Sequence, residues 1–97
     1  MTLQSILSLL REHFTEMAER FNVESLAVFG STSRDEATSE SDVDMLVHFR
    51  GPATFRGFFD LKFYLEELVG CEVDLATEKM IRPNFRKAIE RDLTYVA

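Results

Sequence analysis

The first apolar residues recur at steps of three and four. Leu3, Ile6, Leu7, Leu10, Phe14, Met17, Ala18 and Phe21 share one side of a helical projection, with Arg11, Glu12, Glu16, Glu19 and Arg20 on the other. Thr2 can cap the start and Asn22 can end it, so the spacing predicts one helix over residues 3–21. The pattern then shortens. Leu26-Ala27-Val28-Phe29 is a continuous apolar run closed by Gly30, the length of a buried strand. From Ser31 to about Thr38 the chain is polar and rich in capping residues, which predicts a short helix opening at the glycine; Ser39-Glu40-Ser41 reads as a loop.

Asp42 to Phe49 alternates with period two. Val43, Met45, Val47 and Phe49 face one way, and Asp42, Asp44, Leu46 and His48 the other. Gly51-Pro52 breaks the strand. Phe58, Leu61, Leu65, Leu68 and Val69 predict a second amphipathic helix, ended by Gly70. Phe55, Phe59, Phe63 and Tyr64 lie off that stripe, as core contacts from a second side or as an exposed patch. Cys71 to Ala76 alternates again, Val73 and Leu75 against Glu72, Asp74 and Ala76. Pro83 suits the first position of a last helix with Phe85, Ala88 and Ile89 inward, and Leu93 to Val96 adds a short terminal strand.

Amphipathic helices interleaved with short strands must bury their stripes on a sheet, so the fold class is α+β, a small mixed β-sheet packed with helices. The 97 residues suffice for one domain and show neither repeat nor linker. With 45% hydrophobic and 29% charged residues the composition is that of a folded chain. No run approaches the ~20 apolar residues of a membrane span. Met1-Thr2-Leu3-Gln4 lacks a basic leader, so no signal peptide is expected. A lone Cys71 excludes an internal disulfide and suits a reducing compartment, so a cytoplasmic location is expected. With only His13 and His48 beside it, the usual Cys/His zinc site is excluded.

The formal charge is −6, which disfavours direct nucleic-acid binding because phosphate contacts need Lys and Arg. The charge is uneven: residues 1–78 sum to −9 and residues 79–97 to +3. The basic end is either a solvated face or a docking surface for something acidic.

Three features carry candidate chemistry. Gly30 and Ser31 end a buried strand and open a helix, where free amides can hold an anion such as phosphate. Asp42 and Asp44 leave the same face of an apolar strand, and two such carboxylates repel unless exposed or offset by a cation. Mg²⁺ takes one or two carboxylates together with substrate phosphates. Asp74 is an acid within an apolar strand; if that strand neighbours residues 42–49, three carboxylates can hold two metal ions. Glu72 is the rival third ligand, and the apolar neighbours of Asp74 predict that Asp74 lies deeper. His48 shares the aspartate face as a structural or exposed residue, and His13 is expected in solvent.

Gly30-Ser31, Arg34, Ser41-Asp42-Val43-Asp44 and the later Asp74 resemble the signature of the DNA polymerase β-like nucleotidyltransferase superfamily. More narrowly, the chain resembles its minimal nucleotidyltransferases, the MntA-type MNT antitoxins, over nearly its whole length. The resemblance implies a single nucleotidyltransferase domain over residues 1–97. It implies that Gly30, Ser31, Arg34 and Ser41 bind the nucleotide. It implies that Asp42, Asp44 and Asp74 are catalytic and hold two Mg²⁺, with Asp74 helping to deprotonate the acceptor. ATP would be the substrate, AMP the group transferred and diphosphate the leaving group. The implied partner is a cognate HEPN-domain toxin, bound as a hetero-oligomer and modified on a tyrosine. Members often carry Arg-Gly where this chain has Arg34-Asp35. Two alternatives stay open: neutralisation of the toxin by binding alone, and a small-molecule or RNA acceptor. The last basic helix with Phe59, Phe63 and Tyr64 is the candidate partner surface.

Overall fold

The structure is a computed structural model and describes residues 2–33 and 42–96. Helices α1 (Leu3–Glu12) and α2 (Phe14–Phe21) replace the single helix predicted over 3–21. The break has a local cause. The His13 ring donates through Nδ1 to Leu9 O (3.0 Å), while the His13 amide bonds Leu10 O at 3.2 Å. The imidazole takes the carbonyl that a continuing helix would give to the backbone, and the helix restarts with the Met17 amide on His13 O. His13 is thereby half-buried and engaged, against the expectation of a solvated ring. Asn22 ends α2 in the left-handed conformation, φ 59°.

Strand β1 (Val23–Phe29) starts three residues before the predicted run. It is followed by a short helix α3 (Gly30–Ser33). Strand β2 is Val43–Phe49 and helix α4 is Phe55–Val69, the latter capped by the Thr54 side chain. Gly70 closes α4 at φ 76°, as its predicted role requires. Strand β3 (Val73–Ala76), a 3₁₀ turn (Glu78–Met80), helix α5 (Pro83–Asp92) and strand β4 (Thr94–Tyr95) complete the order. The sheet runs β3-β2-β1-β4 and is mixed. Strand β1 is antiparallel to both its neighbours, and β2 and β3 are parallel. Among the described residues no helix is long and apolar enough to cross a membrane.

The connections fix the layers. Strands β2, β3 and β4 all run the same way, so β2–α4–β3 and β3–α5–β4 are both crossovers between parallel strands. They travel in opposite directions across the sheet. With the usual right-handed sense, α4 and α5 must cover opposite faces. Helices α1, α2 and α4 cover the face of Val43, Met45, Val47, Leu26 and Val28, closing the core with Ile6, Leu10, Met17, Leu61 and Leu65. Helix α5 contacts β1 and α3 on the other face. It has no buried residue, and the inward placement predicted for Phe85 and Ala88 does not hold. The Phe85 ring is 54% exposed. Mean polarity explains this: the helix carries Arg86, Lys87, Glu90, Arg91 and Asp92 among few apolar residues, too few for a buried stripe.

Candidate active site

The alternation of β2 places Asp44, Leu46 and His48 on the face away from the main core, as expected, and Asp42 comes directly before the strand. The parallel register with β3 then sets Asp44 beside Asp74, flanked by Val43 beside Val73 and Met45 beside Leu75. The Val43 amide donates to Glu72 O at 3.0 Å, which fixes this end of the pair. The antiparallel register with β1 sets Phe29 beside Asp44. Across the sheet the row is therefore Asp74, Asp44, Phe29, with Gly30 following.

Gly30 has φ 74°, which L side chains rarely adopt. A Cβ built there would lie 2.3 Å from Asp44 Oδ2. A glycine is thus required twice, by backbone conformation and by the closeness of the carboxylate. The strand end that resembled a phosphate cradle is packed directly on the first strand's acidic neighbour.

Asp44 is half-buried, while Asp42, Glu72 and Asp74 are exposed. Asp74 is not the deep residue its apolar neighbours suggested. It lies on a four-residue edge strand whose alternation sends only the Val73 and Leu75 side chains inward. Register, rather than depth, distinguishes Asp74 from Glu72. Among the described residues no three His, Cys, Asp or Glu side chains converge closely enough to hold a metal as they stand. The donor set on this face is nevertheless all carboxylate oxygen, the chemistry hard divalent cations take, and a Cβ at Gly30 would fill the space beside it. Arg34, Ser41 and the side chain of Ser31 lie outside the described residues. Thr32, inside α3, is 1% exposed, and its hydroxyl finds no hydrogen-bond partner among the described residues.

Two further groups border the site. A cleft of about 350 Å³ lies between the sheet and α5, with Phe29, Asp74, Met80, Ile81, Phe85 and Ile89 in its walls. About 13 Å along β2 from Asp44, at ~3.3 Å per residue, His48 shares a hydrogen bond with Ser25 (Oγ to Nδ1, 3.1 Å) and meets Glu78 Oε1 at 3.4 Å. Glu78 also pairs with Arg86 of α5. His48 is therefore a structural residue, as expected, and links the sheet to the chain that crosses it. Its links to Ser25 and Glu78 have no signature in local spacing, because the three residues lie on separate elements. Another cleft, about 440 Å³ beside His48, Phe49, Pro52 and Thr77, includes none of the aspartates. Burial pushes the Cys71 thiol up, and the Asp42 charge adds to the shift, which favours the protonated form.

A family model described as a nucleotidyltransferase domain matches residues 10–96. The chain belongs to that family. The protein adenylyltransferase MntA of Thermococcus cleftensis is 41% identical over 96 residues, covering 99% of this chain and 97% of that one. A candidate protein adenylyltransferase of Methanocaldococcus jannaschii is 42% identical over 96 residues, covering 98% of each. Within the family the chain is therefore of the minimal, MntA type. A solved structure described as a candidate minimal nucleotidyltransferase superposes with a TM-score of 0.80 at 34% identity, over 97% of this chain and 95% of that one. The fold, though not more, is shared with an MNT antitoxin solved with a tri-AMPylated HEPN toxin of Shewanella oneidensis. That match has a TM-score of 0.66 at 14% identity, covering 94% of this chain and 71% of that one.

Proposed function

We propose that this chain is a Mg²⁺-dependent protein adenylyltransferase and the antitoxin of a HEPN/MNT pair. It transfers AMP from ATP to a tyrosine of its HEPN partner in the cytoplasm. The observation that carries the reading is the row Asp74–Asp44–Phe29-Gly30, three elements brought to one face with the glycine on the carboxylate. The names of the MntA-type relatives supply the group transferred. A structure of the same fold described as a toxin–antitoxin with AMP-PNP supports the nucleotide. The MNT–HEPN complex supports the partner.

On this reading Asp42, Asp44 and Asp74 hold two Mg²⁺, which supply neutralisation of the charge on the α-phosphate and the leaving diphosphate. Gly30 and Ser31, with Arg34 and Ser41, position the triphosphate at the β1 end. Asp74, at the β3 end, accepts the proton of the attacking hydroxyl. Positioning and electrostatics do most of the work in phosphoryl transfer, so a chain this small is sufficient.

The test is labelled ATP, Mg²⁺ and the HEPN protein, with label sought on the HEPN protein and on RNA. Label on the HEPN protein, lost in Asp42→Asn/Asp44→Asn, is the expected result; no label on it refutes the reading. One observation favours a second reading, neutralisation by binding alone. Phe55 and Phe63 on α4 are 83% and 60% exposed in a row with Phe59, a ready docking surface. In that case the double variant loses transfer but still silences the toxin.

A further inference from the structure

We infer that the cleft under α5 is the acceptor pocket, and that it selects a phenolic side chain. The inference rests on the adenylyltransferase reading and adds to it where the acceptor sits and which residues choose it. The transfer is an in-line displacement, so the attacking and leaving oxygens lie on opposite sides of the α-phosphorus. With the triphosphate on the β1 side at Gly30, the attacker comes from the β3 side. Asp74 stands there, and it is also a wall of the cleft. The pocket therefore includes the carboxylate that this reading assigns to take the acceptor's proton.

Its lining states the chemistry of the occupant. Phe29 and Phe85 are aromatic and Met80, Ile81 and Ile89 are aliphatic; among the described residues Asp74 is the sole acid in the walls and Arg82, at the N-cap of α5, the sole base. Phe85 and Met80, 54% and 57% exposed, are among the residues lining the cleft. A volume of about 350 Å³ sits at the low end of the ~300–1,000 Å³ range of ligand pockets. It has room for one aromatic ring with adjoining backbone. A serine or threonine would leave the aromatic walls unfilled. A tyrosine ring can pack between them and bring its hydroxyl to Asp74. In the step itself the phenolic oxygen forms a bond to the α-phosphorus and its proton passes to Asp74. The bond from the α-phosphorus to the bridging oxygen breaks, and diphosphate leaves with the electron pair.

Two measurements on the full chain test this. The first follows the methyl groups of Met80, Ile81 and Ile89 by NMR while N-acetyl-L-tyrosinamide is added. Shifts centred on these methyls, and absent with N-acetyl-L-threoninamide, are expected. Shifts elsewhere, or none, overturn the pocket whether or not the chain proves to be a transferase. The second measures AMP transfer to the HEPN protein by Phe85→Ala and Ile89→Ala, both at sites exposed enough to tolerate truncation. The KM for the acceptor protein should rise about tenfold or more with the KM for ATP within about twofold. A rise in the KM for ATP instead makes this the nucleobase site and overturns the inference. Unchanged values for both overturn it as well. A wild-type chain that labels no acceptor refutes the transferase reading, and the tyrosinamide shifts still decide the pocket.

Discussion

The two faces of the sheet are built on opposite principles. The face under α1, α2 and α4 is closed and apolar: Met45, Val47, Leu26, Val28, Leu61 and Leu65 are all at 0% exposure. The face under α3 and α5 is shallow and polar. Among the described residues of this side only Ala27, Leu46 and Thr32 are buried, and α5 contributes nothing buried. One face holds the fold together, which leaves the other free to gather like charges that no stability argument would favour. Where a small chain must carry a reactive site, putting it on the face that the core does not use keeps the two demands apart.

Substitutions should separate the faces cleanly. The largest loss of stability is expected from Leu65→Ala, about 2–5 kcal/mol by denaturant unfolding, since the leucine is fully enclosed. Asp44→Asn should cut AMP transfer at least about a hundredfold, or ~2.7 kcal/mol, while unfolding stability moves by less than about 1 kcal/mol. A large stability loss there would mean that the polar face is structural after all. Gly30→Ala touches both demands, through left-handed strain of about 1–2 kcal/mol and a collision with Asp44. Thermal unfolding and ATP binding should both weaken. The smallest effect belongs to the closed side. The Lys62 ammonium (2.8 Å) and then the Val73 amide (3.0 Å) hold the Glu66 carboxyl below its usual 4.5. Its contribution is complete above that value and fades as pH falls through the lowered one. Glu66→Gln should therefore be less stable than the wild type at neutral pH, with the gap closing in acid-denaturation curves.

The same division decided what could be read from the residues alone. Period-two alternation in β2 and β3 located the aspartate face, because strand geometry leaves a side chain only two directions. The stripe of α4 and the Gly70 stop were equally plain, since a closed core demands them. What escaped depended on contacts between distant or competing groups. The break at His13 is an imidazole outcompeting an amide for Leu9 O. The early start of β1 lies beyond a register irregularity between Val23 and Ser25, where Glu24 interrupts the alternation. Asp74 is exposed because its four-residue strand lies at the edge of the sheet, and strand order is not encoded in local spacing. Aromatic rows on α4 read as two possibilities, and the outcome was mixed: Tyr64 is half-buried and donates to Glu16 at 3.0 Å, while Phe55 and Phe63 stand in solvent.

Strand β4 is only two residues long, yet it pairs with the middle of β1, and the Arg11 guanidinium reaches across 85 positions of sequence to bond Val96 O at 3.0 Å. Such distant partners are expected to meet late, after β1 and β2 have paired. The β4 edge is then expected to open before the centre of the sheet, and its amides should exchange with solvent before those of the β1–β2 pair. A chain whose tail had come away would keep the Asp44–Asp74 row on β2 and β3 but lose the strand that anchors the far end of α5.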